Sequence, residues 1–307
     1  METVTETGMS AMSSIDPRTR LGPVELTVDG LDRLIPFYQE ALGLRLHRRG
    51  DGQAELGVGG EALLRLVEQP GAARVRGTTG LYHFAVLVPT RRELARVIGR
   101  LFSRRYPNYP TDHLQTETTY LDDPEGNGIE VYADTPEDGT FVFREGRFEA
   151  RDAQGRPSSG REPLDLDELF RHLAPSDDLE APLPSETKIG HIHLHVRDLA
   201  EAVAFYHDGL GFDVMGMAPA FRAAFLSAGG YHHHIGVNTW QGEGAPPPPA
   251  GAAGLRAFTV VVPDAGELER IRRRLRARSI DVSDAAGGFR TQDPSGNTVA
   301  LLPEPGA

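Results

Sequence analysis

The sequence predicts an α+β fold of four modules, each running strand, helix and then three strands (βαβββ). Three features of the first half of the chain recur in the same order in the second half: a helix that ends at a glycine, the beginning of a strand, and a tight turn. The matching pairs are residues 36–44 and 204–212, residues 80–86 and 254–260, and residues 123–127 and 293–297. Repeated units of this size usually pair with one another, because one unit cannot bury its sheet face alone.

The first module spans residues 21–69, and the third module, residues 188–240, repeats it. Each opens with alternating apolar and polar residues, which are typical of a half-buried strand: Val24–Val28 in the first module and Ile192–Val196 in the third. The helix that follows contains a Phe-Tyr pair and ends at a Leu-Gly pair. Glycine suits the left-handed backbone position that closes a helix.

The second module spans residues 80–134 and the fourth spans residues 254–303. Each begins with a strand of the pattern Gly-Leu-x-x-Phe-x-Val, followed by a proline and a helix, around residues 92–102 and 266–278 respectively. An Asp-Pro-x-Gly-Asn turn then precedes the last strand of each module. The two repeats are therefore residues 21–134 and residues 188–303.

The remaining segments lack this pattern. Residues 1–20 are polar and are expected to form a disordered tail. Residues 135–187 are rich in proline, glycine and charge, with one short helical candidate at 165–173, and we expect a long connector over the surface. Residues 246–249 are four prolines, which favour a stiff polyproline spacer between modules three and four.

Composition narrows the classes of function. The chain has 307 residues and a formal net charge of −12, which argues against nucleic acid as a partner because phosphate binding needs clustered Lys and Arg. The apolar runs are of strand length and no secretion signal is recognisable, so no membrane partner is expected. Cysteine is absent, so a metal would have to be held by His, Asp or Glu. We therefore expect a soluble, acidic, cytoplasmic protein.

Histidine and glutamate residues occupy regular places in modules two and three. His83 lies in the first strand of module two, and the run His113-x6-Tyr120-x2-Asp-Pro-x-Gly-x3-Glu130 closes the same module. The first strand of module three contains three histidines at alternating positions. Two histidines and one glutamate on separate strands can form a facial metal triad, which leaves three coordination positions open for a substrate and dioxygen.

On these motifs the chain resembles the vicinal oxygen chelate superfamily, which includes glyoxalases, bleomycin resistance proteins and extradiol dioxygenases. The run from His113 to Glu130 resembles the extradiol dioxygenase signature, with Thr119 where an apolar residue usually precedes the tyrosine. Residues 190–196 and 227–236 are most similar to the bacterial catechol 2,3-dioxygenase family. The likeness extends over residues 21–303.

The resemblance implies ferrous iron, Fe(II), held by His83, His191 and Glu130. Manganese, Mn(II), is an alternative, because oxygen and imidazole ligands select weakly between the two metals. Glu130 lies between apolar neighbours and would be costly to bury without a partner, a cost that metal ligation removes. The resemblance also implies that His113 and Tyr120 hydrogen-bond the substrate and the charge that develops on it.

A run of three histidines, His232–His234, falls in the segment that resembles the last strand of module three. In the family, a histidine three residues before a small residue of this strand acts as acid and base, and here that histidine is His233, before Gly236. The side chains of His232 and His234 are expected to leave the opposite face of the strand. A shift of one residue would give the role to either of them.

Two further histidines follow His191 at alternating positions. His193 and His195 should therefore share its face of the strand and line the pocket. Together with His232 and His234, they are the candidate substrate-binding residues. A His-x-His-x-His run is also typical of an adventitious nickel or zinc site.

Positions without a ligand predict how the modules pair. The first-strand ligand position of module one is Pro23, and the two ligand positions of module four are Ala257 and Ala300. All three ligands therefore come from modules two and three. In many relatives module one pairs with two and module three with four, which would split the triad. We predict that module two pairs with three around the metal, and that module one pairs with four as a metal-free partner barrel.

The resemblance implies an extradiol ring-cleaving dioxygenase that opens catechol or a substituted catechol with O2 to a 2-hydroxymuconic semialdehyde. Three alternatives stay open. They are a hydroquinone-cleaving dioxygenase, a glyoxalase-like isomerase or lyase with a fourth protein ligand from residues 232–234, and a metal-free small-molecule binding protein. The sequence decides neither the ring substituents nor whether the chain forms a homo-oligomer.

Overall fold

The computed structural model describes residues 14–144 and 147–306. These residues form an eight-stranded sheet, a nine-stranded sheet and a three-stranded sheet. The strands, in chain order, are β1 (Arg20–Val28), β2 (Arg45–Gly50), β3 (Gln53–Val58), β4 (Glu61–Glu68), β5 (Gly80–Leu87), β6 (Tyr109–Asp112), β7 (Thr116–Asp122), β8 (Gly128–Asp134), β9 (Gly139–Arg144), β10 (Arg147–Asp152), β11 (Pro157–Ser158), β12 (Glu162–Pro163), β13 (Lys188–His195), β14 (Asp213–Ala218), β15 (Ala223–Ser227), β16 (Ile235–Asn238), β17 (Gly254–Val262), β18 (Ser283–Ala285), β19 (Gly288–Gln292) and β20 (Thr298–Pro303).

The helices lie where the repeated pattern predicts them. They are α1 (Leu31–Phe37), α2 (Arg91–Ser103), α3 (Leu166–Phe170), α4 (Leu199–Val203) and α5 (Ala265–Ala277). The short helices α1 and α4 each continue into a π-helical turn that ends at a glycine, Gly43 with φ +81° and Gly211 with φ +99°. These positive φ angles explain why the sequence repeats glycine at both places.

The predicted pairing of the modules is confirmed. Module one joins module four through the antiparallel pair β1 and β17, and module two joins module three through the antiparallel pair β5 and β13. We call the two results the 1–4 sheet and the 2–3 sheet. The order of strands is β18-β19-β20-β17-β1-β4-β3-β2 in the 1–4 sheet and β12-β6-β7-β8-β5-β13-β16-β15-β14 in the 2–3 sheet. The predicted α+β class with four βαβββ modules is likewise confirmed.

The repeated tyrosine and the repeated turn are hydrogen-bonded to each other. The Tyr38 hydroxyl donates to Asp123 over 2.8 Å, and the Tyr206 hydroxyl donates to Asp293 over 3.0 Å. Each aspartate also accepts from the backbone and side-chain amides of the asparagine that ends its turn. Because each tyrosine belongs to a module of one sheet and its aspartate to a module of the other, the two motifs tie the modules of the 1–4 sheet to those of the 2–3 sheet.

The predicted tail is shorter than expected. Residues 1–13 lie outside the described residues, but Ile15 packs into the hydrophobic core with only 2% of its surface exposed. The Ser14 hydroxyl donates to Asp213, and β1 begins at Arg20. The prediction of disorder followed the polar composition of this stretch and overlooked Ile15. Burial of the Ile15 side chain holds residues 14–19 against the fold.

The connector, residues 135–187, is more structured than the sequence indicated. Strands β9, β10 and β11 form the three-stranded sheet, and β12 pairs with β6 to extend the 2–3 sheet. The helical candidate is real but shorter, and its Leu169 is fully buried. No helix among the described residues is long and apolar enough to span a membrane.

Candidate metal centre

Three adjacent strands, β8, β5 and β13, bring the predicted ligands together. At the centre is Ala85, which is in register with Glu130 on the parallel strand β8 and with His191 on the antiparallel strand β13. His83 precedes Ala85 by two residues and therefore projects from the same face of β5. The small Ala85 side chain leaves room between the larger ones, so this local geometry makes the three ligands converge.

The three ligand atoms are within contact distance of one another. Glu130 Oε2 lies 2.9 Å from His191 Nε2 and 3.1 Å from His83 Nε2, and the two Nε2 atoms are 3.3 Å apart. All three residues are buried, and they form a group that could hold a metal ion. The prediction that His191 approaches both His83 and Glu130 agrees with these distances.

These distances suit a metal ion. Ligand atoms about 2.1 Å from one octahedral ion lie about 3.0 Å apart along each edge of the octahedron. The three distances between the ligand atoms, 2.9, 3.1 and 3.3 Å, are close to this edge length, so the three atoms fit one triangular face. Two imidazole nitrogens and one carboxylate are also the donor set of a facial triad.

The protonation states suit ligation as well. Burial alone would raise the pKa of the Glu130 carboxyl, but His191 and His83 beside it hold that pKa well below its usual range. Burial lowers the pKa of His191 to about 4, against the opposing effect of Glu130. At neutral pH the site therefore offers a carboxylate and a neutral imidazole, the forms that bind metals.

His113 and Tyr120 lie together beside the triad. His113 Nδ1 donates to the Gly160 carbonyl oxygen over 2.8 Å, so its Nε2 accepts from the Tyr120 hydroxyl over 3.0 Å. Tyr120 is in register with Glu130 on the neighbouring strand, and its ring lies 5.6 Å from that of His83. Burial, and then the nearby Glu130 carboxylate, raise the pKa of Tyr120 well above its ordinary value, so it remains a hydroxyl donor.

His193 and His195 have different surroundings. His193 pairs in register with His83, and its buried Nε2 has no hydrogen-bond partner among the described residues. His195 Nδ1 instead donates to Asn238 Oδ1 over 2.8 Å. His193 is therefore placed beside the triad, whereas His195 lies further along the strand in a satisfied hydrogen bond.

The histidine triplet does not lie in a strand. β16 begins at Ile235, after a turn, so the expectation that alternation separates His233 from its neighbours is wrong. The His233 ring packs 4.2 Å from the ring of His191, and the His232 ring lies 6.0 Å from it. His234 turns away, and its Nδ1 accepts from the Ala228 amide and contacts the Ser227 hydroxyl.

Aromatic side chains that the sequence did not single out complete the surroundings of His193. Its ring lies 5.2 Å from Tyr82, 5.4 Å from Trp240 and 6.0 Å from Phe225. Strict alternation would place Tyr82 on the opposite face from His83. The pairing of β5 with β13 skips Tyr82, however, and this bulge explains why it reaches the same aromatic cluster.

The sequence also did not indicate a series of hydrogen-bonded hydroxyls beside β8. Tyr132 and Tyr231 are joined by their hydroxyls at 2.7 Å, and Tyr231 donates to Asp134 at 2.8 Å. The ring of Tyr132 lies 5.0 Å from that of His191. Gly190 makes room for Tyr132, because a Cβ at this glycine would be 1.9 Å from the tyrosine hydroxyl. Gly190, which directly precedes His191 in β13, was the one signal in the sequence for these hydrogen-bonded hydroxyls.

Comparisons with known proteins agree with the fold. The family description "Glyoxalase/Bleomycin resistance protein/Dioxygenase superfamily" matches residues 20–131 and 188–301. A catechol-2,3-dioxygenase of Bacillus subtilis (strain 168) is 41% identical over 286 residues, which cover 92% of this chain and 96% of that protein.

Solved structures share the architecture. A presumed dioxygenase from Bacillus subtilis subsp. subtilis strain 168 superposes with a TM-score of 0.63 at 13% identity, covering 96% of this chain and 87% of that one. Glyoxalase I from Zea mays gives a TM-score of 0.54 at 18% identity, covering 93% and 92% respectively. At these identities the two structures are evidence for the fold alone.

Proposed function

Because the chain belongs to the glyoxalase/bleomycin resistance protein/dioxygenase superfamily and is an oxidoreductase of the extradiol dioxygenase type, we propose that it opens catechol or a substituted catechol with O2. The product is a 2-hydroxymuconic semialdehyde, which takes up both oxygen atoms. The observation that carries the proposal is the convergence of His83 Nε2, His191 Nε2 and Glu130 Oε2 within 2.9–3.3 Å of one another.

Those three residues would hold ferrous iron, with manganese as an alternative. The bound metal would supply a common template for the diol and O2 and a path for electrons between them. With one carboxylate among its protein ligands, the site keeps a net positive charge that favours an anionic diol. The three ligands would use their free nitrogen and oxygen atoms to bind the metal, so other residues must transfer protons.

The remaining side chains act on the substrate. His233, beside the ligand His191, is the base that takes a proton from a ring hydroxyl and later returns it. Burial lowers its pKa well below the ordinary value, so at neutral pH the imidazole is neutral and one ring nitrogen keeps a free lone pair. When the diol binds, the Tyr120 hydroxyl, which points at His113 in this structure, would turn its one proton to the oxygen on which charge develops. His193 and the aromatic rings around it line the substrate side.

The structure bears on the glyoxalase-like alternative. That reaction would want a fourth protein ligand, but the group of candidate ligand atoms within the described residues contains only His83, Glu130 and His191. The triplet is near, yet His234 is bonded elsewhere and the Nδ1 atoms of His232 and His233 face each other at 2.8 Å. Three ligands with open positions favour a dioxygenase.

A reconstitution experiment tests the proposal. The protein is loaded anaerobically with Fe(II) and then given O2 with catechol, protocatechuate or hydroquinone, while O2 uptake and the yellow ring-opened product are followed. We expect uptake and product with a catechol. Cleavage of hydroquinone alone would reassign the substrate, and metal-dependent lactoylglutathione formation without O2 uptake would replace the proposal with the isomerase.

A further inference from the structure

Close side-chain contacts connect the partly exposed Asp134 to His233 through His232. Asp134 Oδ1 lies 3.5 Å from His232 Nε2, which is an ion-pair distance without a hydrogen bond, and His232 Nδ1 lies 2.8 Å from His233 Nδ1. The Asp134 side chain is 37% exposed and the His232 side chain is 9% exposed. The outer end of this series of contacts borders a cavity of about 410 Å³ that is lined by Asp134, Tyr231 and His232, among others.

The carboxylate is fixed in place by hydroxyls. Tyr231 donates to Asp134 Oδ1 at 2.8 Å, so the Tyr132–Tyr231 contact at 2.7 Å has Tyr132 as its donor. Asp134 therefore receives a hydrogen bond from a chain whose other end, Tyr132, is buried against His191. These hydrogen bonds hold the Asp134 carboxylate in one orientation, unlike a surface carboxylate that moves freely.

Because the Nδ1 atoms of His232 and His233 face each other at 2.8 Å, one of them must donate and the other must accept. Only one of the two Nδ1 atoms can carry the proton between them. A carboxylate beside His232 Nε2 favours the proton on that nitrogen, which leaves His232 Nδ1 as the acceptor. His233 must then donate from its own Nδ1, and its Nε2 is left unprotonated.

We propose that Asp134 is a positioning residue which, through His232, fixes the tautomer of His233 so that its Nε2 is the free base. The same logic governs other sites in which a carboxylate orients an imidazole. The kinetic part of this inference rests on the proposed function, because it assumes that His233 handles the protons of the diol. The tautomer itself is a property of the protein and is measurable without turnover.

The direct test is 15N NMR of histidine-labelled full-length protein prepared without added metal. We expect neutral His232 protonated at Nε2 and neutral His233 protonated at Nδ1. In Asp134→Ala, the preference should be lost, so that His233 shows a mixture or the opposite tautomer. The reverse assignment in the wild type, or a mixture there, would overturn the proposal, as would unchanged tautomers in Asp134→Ala.

Kinetics of the Fe(II)-loaded protein give a second readout. Asp134→Ala should lower kcat for catechol by about tenfold to a hundredfold with little change in KM, because the ligands and the pocket remain intact. Glu137→Gln is the matched control, since Glu137 is an exposed acid nearby that pairs with Arg91. An Asp134→Ala enzyme with the turnover of Glu137→Gln would contradict the inference. If no diol is cleaved even by the wild type, the proposed function fails while the NMR result still decides the tautomer.

Discussion

The Glu130 carboxylate is 3% exposed and contacts two histidine nitrogens through the same oxygen atom. An ionised carboxylate so deeply buried is stable only when its charge is compensated. Without a cation, two imidazoles can each offer at most one N–H to that oxygen. A metal ion bound by all three ligand atoms would compensate the charge of Glu130. Substitution of Glu130 should therefore show directly in the metal content of the protein.

We therefore expect His83→Ala, His191→Ala and Glu130→Ala each to lose bound iron and activity, because two remaining ligands hold ferrous iron poorly. Metal content after anaerobic loading, measured beside the unfolding midpoint, separates loss of the site from loss of the fold. Full iron content in Glu130→Ala would show that another carboxylate is the ligand.

The three histidines of the triplet should differ in a graded way. His233→Gln should keep iron and bind catechol, while turnover falls about a hundredfold or more, the usual worth of a positioned acid–base group. His232→Gln should have a smaller effect, because its ring only supports His233. His234→Gln should chiefly lower stability, since it loses the bond from the Ala228 amide. Steady-state kinetics with catechol rank the three, and a severe His234→Gln with a normal His233→Gln would reverse the assignment.

The buried histidines also predict a pH dependence of stability. Burial lowers the pKa of His191 and of His234 to about 4 in the folded protein, whereas an unfolded histidine titrates near 6.5. Between these values the unfolded chain binds more protons, so the free energy of unfolding of the metal-free protein should fall as the pH decreases from about 6.5 to about 4. The lowered pKa of Glu130 acts in the same direction. Urea titrations across this range check the slope, and a flat profile would contradict it.

Single elements explain which parts of the site the sequence could predict. The triad residues lie within strands and match a family motif, which predicted their convergence even though the pairing of β5 with β13 is irregular beside His83 and His191. The bulge at Tyr82 and the turn that holds His232 break the alternation, and neither has a distinct sequence signal. Two strands of the connector, β11 and β12, are only two residues long and carry no periodic apolar pattern, and the proline, glycine and charge of the segment favoured a loop.

The start of β13 gives an element-scale prediction. Gly190→Ala would place a Cβ 1.9 Å from the Tyr132 hydroxyl, so the tyrosine has to move. We expect a loss of about 1–3 kcal/mol in the free energy of unfolding, as for overpacking elsewhere, together with weaker iron binding because Tyr132 packs on His191. Gly60→Ala is the control, since nothing lies within 4 Å of its added Cβ. Equal stability and equal iron affinity in the two variants would show that Tyr132 has room to adjust.

At the scale of the whole molecule, the two pseudo-symmetric sheets differ, because all three candidate ligands lie in the 2–3 sheet. Where the 2–3 sheet has His193 and Tyr82, the corresponding residues of the 1–4 sheet are Glu25 and Arg256, paired at 2.8 Å, with Arg290 at 3.7 Å from the same glutamate. Ion pairs there take the place of residues that line the pocket, while the ligand positions themselves hold Pro23, Ala257 and Ala300. The sequence showed which modules lack ligands, and this predicted how the modules pair. It did not predict the hydrogen bonds between the two sheets, because a repeated motif does not show which residues it contacts.

Those bonds lead to a prediction about cooperativity. Tyr38 and Tyr206 donate to Asp123 and Asp293, and each bond joins the 1–4 sheet to the 2–3 sheet. Tyr38→Phe and Tyr206→Phe should each lower the free energy of unfolding by about 1.5–3 kcal/mol, because each leaves a buried carboxylate without one of its donors. Tyr109→Phe, at an exposed tyrosine, is the control.

The double variant Tyr38→Phe/Tyr206→Phe tests whether the two hydrogen bonds couple the unfolding of the two sheets or stabilise only their own surroundings. The single tryptophan, Trp240, lies beside His193, so its fluorescence reports on the 2–3 sheet, whereas far-UV circular dichroism reports on both sheets. In the wild type the two urea transitions should coincide, as in one cooperative unit. In Tyr38→Phe/Tyr206→Phe they should separate, with one sheet unfolding before the other. Coincident transitions at a merely lower urea concentration would mean that the apolar core alone couples the two sheets.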